Sequence, residues 1–330
     1  MVVILMNLYH DHRKIKIRGG NKMVKFYTTK ENKIVEADKF VPNSLIKVID
    51  PSADEIHMLS SLLQFDPDFI YDSLDDDERA RIEVDEDTIL IILKIPKKFN
   101  NNSKIPYRTV SMGIIIGKNY TIFSSKESVD FIEHMIENSK FDINKKSRMI
   151  FQIFLLNAKV FLAYLKEINK TISIIEEELH RSMKNKELED MMYLEKSLVY
   201  FTTSLRSNEI MMEKLLRGNI LKIYEEDKDV LEDAIIENRQ AIEVSNIYSD
   251  ILAGMMDSYA SVISNNLNIV MKILTVVTIL MQIPTILTSF YGMNVKLPIQ
   301  NNPFAYLHII FWSIGTIVLT LVWFKKKKWL

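Results

Sequence analysis

The chain contains no cysteine, which excludes disulfides, thiolate metal sites and cysteine nucleophiles. It also lacks a net charge of any size, since 42 Lys and Arg stand against 43 Asp and Glu. Binding driven by counterion release needs a basic stripe that these totals do not supply, so nucleic acid is excluded as the main partner. There is no Gly-rich phosphate loop followed by Lys-Ser/Thr, and no His/Asp/Glu cluster at metalloenzyme spacing. Motifs for nucleotide-driven energy coupling and for an enzyme's metal centre are therefore missing, and no organic cofactor is called for. A secretory signal is missing too: the first six residues are apolar, but the run stops at Asn7 without a basic start or a small-residue cleavage site. Residues 1–22 read as an N-terminal tail, basic from residue 10 onward, in which His10 and His12 are solvated and after which Met23 is a candidate second start.

What the chain does have is two long uncharged runs near its C-terminus. No formal charge falls between Lys272 and Lys296, and only His308 could acquire one between Lys296 and Lys325. Each run exceeds the roughly 20 residues a helix needs to cross a bilayer core. The turn between them, residues 292–303, holds Gly, Pro and Asn, so a two-span hairpin is expected. The second span ends in Trp323-Phe324 followed by Lys325, Lys326, Lys327 and Lys328, an interfacial aromatic belt and a cationic block retained on the cytoplasmic side. Both termini are then cytoplasmic, and the protein is a multi-pass protein of the cell membrane with the lipid bilayer as a partner.

Before the hairpin, 330 residues at 48% hydrophobic content leave room for a sizeable core. β-Branched runs at residues 25–28, 33–37, 45–49, 88–94, 110–116 and 120–123 predict strands. Ile56, Leu59, Leu62 and Leu63 recur at helical spacing after Pro51-Ser52, and a second helical piece follows Pro67. Its end, Asp72 to Glu78, places five carboxylates in seven positions. From about Lys126 strand signals vanish and glycine is almost absent. Residues 146–184 and 186–217 predict two long amphipathic helices paired antiparallel, turning near Met183-Lys184-Asn185. A third pattern starts near residues 225–233 and meets no proline until Pro284. Helical throughout, Asp233 to Asn294 would extend on the order of 90 Å.

The expected fold class is α+β: a cytoplasmic α/β domain (23–145), a helical pair (146–224), a stalk helix continuing into the first span (225–291), an outer loop (292–303), a second span (304–324) and a lysine-rich tail (325–330). Along the first span Asn268, Met271, Thr275, Thr278, Gln282, Thr285 and Ser289 alternate at spacings of three and four, and all but one are polar. Such a stripe is costly against lipid, so it faces protein or water. Ile273, Val276, Val277, Ile279 and Leu280 are left to face lipid or the second span. Pro284 deprives Leu280 of its helical hydrogen-bond donor, a bend that membrane helices tolerate.

The run from Asn268 to Thr275, Pro284-Thr285, Tyr291-Gly292-Met293-Asn294 and the ending from Lys325 to Leu330 together resemble the CorA magnesium transporters. Gly292-Met293-Asn294 is short, but in a loop between two terminal spans, behind a long helix and ahead of a lysine tail, it is specific. The resemblance implies a homopentamer whose first spans line one pore, with Tyr291, Gly292, Met293 and Asn294 as the selectivity filter. It implies a ring of Asn294 at the outer mouth, a ring of Asn268 near the inner end, and Met271, Leu274, Gln282 and Thr285 along the path. Neutral amides suit Mg2+, which sheds water reluctantly and is selected through its hydration shell. Two departures stand out. Gln282 occupies a mid-pore position that is commonly apolar, and Lys296 follows the filter where an acidic residue is usual.

The resemblance further implies a cytosolic Mg2+ sensor held between subunits, with Asp72 and Asp233 as its carboxylates. Mg2+ is thus both the transported and the regulatory ion. Influx is passive, because an inside-negative potential supplies about 4.6 kcal/mol per 100 mV to a divalent cation. The absence of cysteine and of histidines along the pore face weakens a dedicated soft-metal site and leaves Co2+ and Ni2+ open as further permeant ions. The alternatives are a ZntB-like transporter of Zn2+ or another divalent ion, and a membrane-anchored helical scaffold whose polar stripe only sets register.

Overall fold

The computed structural model describes residues 23–31, 33–99, 104–182, 185–218, 220–298, 302–327 and 329. The chain is α+β and divides into two compact units, one up to Ala253 and one from Gly254. The basic tail at 1–22, with His10 and His12, lies outside the described residues, as do Met183 and Lys184.

The first unit is organised by a seven-stranded mixed sheet. Its strands are β1 (Met23–Lys30), β2 (Lys33–Ala37), β3 (Ser44–Ile49), β4 (Arg81–Asp85), β5 (Thr88–Lys98), β6 (Tyr107–Gly117) and β7 (Tyr120–Ser125). The order across the sheet is β2-β1-β3-β7-β6-β5-β4, with β3 and β7 parallel and every other neighbouring pair antiparallel. β5, β6 and β7 are buried almost throughout. Both faces of the sheet are covered, and the period of two sorts the side chains between them. Ile46, Leu90, Ile92, Ile115 and Ile122 point into one apolar core; Leu45, Ile91, Leu93, Ile114 and Phe123 point into the other.

The first core is closed by α1 (Ala53–Leu63) and α2 (Asp68–Leu74). Helix α1 starts where Ser52 caps it: the Ser52 hydroxyl accepts from the Glu55 amide at 3.4 Å, and the Glu55 carboxylate accepts from the Ser52 amide at 2.7 Å. Helix α2 lies against β6 at Gly113. A Cβ there would stand 2.4 Å from the Ser73 Cβ, so the missing side chain sets how closely α2 approaches the sheet.

The second core is closed by α3 (Asp130–Glu137), by the first turns of α4 (Lys146–Ser182), by the end of α5 (Asn185–Arg217) and by the start of α6 (Glu225–Tyr291). Helices α4 and α5 run antiparallel. Phe161 and Phe201 meet edge to face at 5.0 Å, while Phe151 and Phe154 share the core with Met211, Met212 and Leu215 near the other end of α5. Strand β4 is short and its pairing with β5 ends at Arg81 and Ile92. Beyond it two helical asparagines take the place of a strand. The Lys94 amide donates to Asn208 Oδ1 at 2.9 Å, and the Lys94 carbonyl accepts from Asn208 Nδ2 at 2.8 Å and Asn157 Nδ2 at 3.0 Å.

The second unit holds the remainder of α6 and α7 (Ala305–Lys326). Helix α6 continues through Pro284. It begins at Glu225, so Asp233 sits in its third turn, and Glu225, Glu226 and Asp227 are the carboxylates that complement the helix dipole. Strand β4 and helix α3 were absent from the sequence expectation. The Arg81-Ile-Glu-Val-Asp85 alternation is one residue pair long on its apolar side, and α3 spans only two turns.

Candidate functional site

Among the described residues, three helices are long and apolar enough to cross a membrane: α4, α6 and α7. Burial separates them. Half of the apolar window of α4 is buried within the molecule, against 6% for α6 and 11% for α7. The apolar face of α4 is already spent on the sheet and α5, whereas α6 and α7 present theirs outward.

Within the second unit α6 and α7 meet along one seam. On α6, Val276 is buried and Leu280, Ile283, Leu287 and Tyr291 are half-buried, at helical spacings of four, three, four and four. On α7, Ser313 and Phe324 are buried and Ala305, Ile309, Ile317 and Thr320 half-buried. Leu287 and Tyr291 line a cavity of about 250 Å³ together with Ala305, His308, Ile309, Trp312 and Thr316.

The polar stripe lies on the other side of α6. Asn268, Met271, Leu274, Thr275, Thr278, Gln282, Thr285 and Ser289 are all exposed. At roughly 100° per residue their mean direction stands about 160° from the seam. Three of the hydroxyls are spent in the same way: Thr275 donates to the Met271 carbonyl at 2.8 Å, Thr278 to Leu274 at 2.8 Å and Thr285 to Met281 at 2.9 Å. With its proton committed to the preceding turn, each oxygen offers only lone pairs outward.

Helix α6 ends at Tyr291. The Gly292 amide bonds back to Thr288 at 2.9 Å, and Met293 and Asn294 follow in the exposed turn beyond it. A Cβ on Gly292 would come within 3.3 Å of the Thr288 carbonyl, which favours glycine there. Lys296 is exposed; Gln300 lies outside the described residues. On α7 the Lys325 and Lys326 side chains are exposed in the last turn, and Lys327 bonds back to Trp323 at 3.0 Å. Trp329 stacks on Phe324 at 5.6 Å, and Lys328 lies outside the described residues.

Asp72 and Asp233 both belong to the first unit, on different elements. Asp233 is exposed on α6. Asp72, near the end of α2, is engaged: its Oδ2 accepts from Arg81 Nη2 at 2.7 Å. The same guanidinium reaches Glu78 and, at 3.2 Å, Glu83. Burial works against the Arg81 charge, yet Glu83, Glu78 and Asp72 outweigh it and raise its pKa above the ordinary value. The turn after α2 is held from inside by Lys94, 5% exposed, whose ammonium donates to the Asp76 carbonyl at 2.6 Å and to Ser111 Oγ at 3.0 Å. Burial lowers the Lys94 pKa, opposed by Asp76, Asp77, Asp75 and Glu78. Sequence reasoning found the acidic run and missed both cations, because nine residues separate Asp72 from Arg81 and Lys94 comes from another strand.

The family model for the CorA-like Mg2+ transporter protein matches residues 45–326. The chain belongs to the CorA family. A relative from Methanocaldococcus jannaschii, the cobalt/magnesium transport protein CorA, is 28% identical over 295 residues, which cover 86% of this chain and 90% of the relative. The complete structure of the CorA magnesium transporter from the same organism superposes with a TM-score of 0.81 at 26% identity, covering 93% of this chain and 99% of that one. The cytoplasmic domain of ZntB from Vibrio parahaemolyticus shares the fold at 13% identity with a TM-score of 0.60, over 74% of this chain and 99% of the other. The CorA match is thus wider and closer than the ZntB one.

Proposed function

We propose that this CorA-family protein is a homopentameric channel for hydrated Mg2+, driven by the membrane potential and closed by cytosolic Mg2+ bound between subunits. The observation that carries this reading is the exposed polar stripe of α6 lying opposite the seam with α7. In a bilayer a lone hairpin would turn that stripe toward lipid, at a cost that partner copies remove by facing their stripes toward one another. Helices α6 and α7 are then the two spans, with α7 outside α6 relative to the pore, and α4 belongs to the cytoplasmic domain.

The chemistry of the stripe suits a hydrated cation. Water bound to Mg2+ turns its hydrogens outward and asks the wall for acceptors. Thr275, Thr278 and Thr285 offer acceptors only, and the amide oxygens of Asn294, Gln282 and Asn268 add further ones along the path. Met271 and Leu274 narrow and dry the inner part, where a hydrophobic ring closes by dewetting. Gln282 keeps the middle wet. Asn294, in the filter Tyr291-Gly292-Met293-Asn294, forms the outer ring, and Lys296 sets this mouth apart from one that gathers cations by acidic charge. Co2+ and Ni2+ pass as hydrated ions of like charge. Lys325 to Lys328 anchor the inner end at the membrane surface, with both termini cytoplasmic.

On the cytoplasmic side Asp72 of one subunit and Asp233 of its neighbour share Mg2+. Two such carboxylates repel once the ion leaves, which loosens the pentamer and frees α6. The test is Mg2+ influx into proteoliposomes at graded membrane potentials. Influx that rises with inside-negative potential and falls when internal Mg2+ is raised is the expected result. Folded oligomers that carry no flux at any potential would reduce the protein to a scaffold.

A further inference from the structure

We infer that Arg81 sets the Mg2+ threshold of the sensor by competing with the cation for the Asp72 carboxylate. The inference rests on the reading of Asp72 as a regulatory ligand and adds the group that opposes it. Arg81 opens strand β4, and its guanidinium reaches three carboxylates: Asp72 at 2.7 Å, Glu83 at 3.2 Å, and Glu78. Side chains in this cluster are about one-third to one-half exposed, so ions from solvent reach them. The pairing is held in place from below: Lys94 bonds the Asp76 carbonyl, and the Ser111 amide reaches Asp76 Oδ1 at 3.4 Å, which pins the turn joining α2 to β4.

Two consequences follow from this geometry. Cytosolic Mg2+ must displace Arg81 from Asp72, or share the carboxylate with it, before it bridges to another subunit. The apparent affinity of the sensor is therefore lowered by the fraction of time Arg81 holds the carboxylate. When Mg2+ does displace the guanidinium, Glu78 and Glu83 remain as partners, so the Arg81 charge is not stranded. The arrangement is a spare-partner exchange that tunes a weak site without removing it.

The experiment uses full-length protein in detergent and follows Mg2+-dependent protection from limited proteolysis in the parent and in Arg81→Gln, Arg79→Gln and Asp72→Asn. Arg81→Gln should lower the half-protecting Mg2+ concentration about threefold, the range set by a partly exposed ion pair. Arg79→Gln removes the same charge from an exposed neighbour and should leave the half-point within error of the parent. If Arg81→Gln does not fold, Arg81→Lys is read in its place: it keeps the charge, loses the planar fork that spans several carboxylates, and should shift the half-point the same way by less. An unchanged or raised half-point in the Arg81 variants overturns the competition, as does an equal shift in Arg79→Gln. Asp72→Asn separates the two claims. It should abolish or strongly weaken the protection, and a titration identical to the parent would overturn the sensor reading itself.

Discussion

Asn208 offers the sharpest test of how the sheet is joined to its helices. It is fully buried on α5, and its amide makes two bonds to the backbone of Lys94, where strand β4 has already ended. Asn208→Leu keeps the volume and removes both bonds. The Lys94 amide then has no partner inside the core, at about 1–3 kcal/mol, and the Lys94 carbonyl keeps only Asn157, at roughly 0.5–1.5 kcal/mol more. The expected loss is about 2–4 kcal/mol. Asn157→Leu is the internal control. It also takes one donor from the Lys94 carbonyl, but Asn157 Oδ1 is buried without a partner, and removing that atom offsets part of the loss, so the net cost is about 1 kcal/mol or less. Urea titration of the purified protein followed by circular dichroism reads both, provided the slopes agree. Equal losses, or a larger loss for Asn157→Leu, would refute the idea that Asn208 stands in for a missing strand.

Further outcomes are expected elsewhere. Asp233→Ala should leave influx running at internal Mg2+ concentrations that shut the parent; unchanged inhibition in flux assays would remove Asp233 from the sensor. Gly113→Ala puts a Cβ 2.4 Å from that of Ser73 and should cost about 1–3 kcal/mol by overpacking, while pushing α2, and Asp72 with it, away from the sheet; a melting curve like the parent's would show that α2 yields freely. Tyr27 carries a pH dependence. Burial first, then Glu36, Glu133 and Glu137, push its phenol from 10.0 to about 12. The unfolded chain releases that proton near pH 10 and the folded one holds it to about pH 12, so the stabilisation is complete below pH 10 and is lost as pH rises between the two values. Tyr27→Phe should flatten that alkaline loss in denaturation midpoints, and an identical pH profile would count against the assignment.

Much of the architecture was legible because it rests on periodicity. The β-branched runs became β1, β2, β3, β5, β6 and β7, and the long helices appear within a residue or two of their expected limits. Long apolar stretches and alternations leave little room for another reading. Where the pattern is short, the sequence was silent: β4 and α3 are held chiefly by neighbours, through the pairing with β5 and through Ile132, Met135 and Ile136 in the second core. The polar stripe was visible as spacing, while its position opposite the α7 seam needed the burial pattern of both helices. Arg81 and Lys94 were invisible as partners of the acidic turn, since contacts between separate strands and turns leave no periodic trace.

The central claim is that α6 lines a cation path whose outer ring is Asn294. Mg2+ influx into proteoliposomes with an inside-negative potential, measured for the parent and for Asn294→Ala side by side, tests it most directly. The account requires rapid influx in the parent and its collapse in the variant with the oligomer intact. Equal influx in both would contradict it.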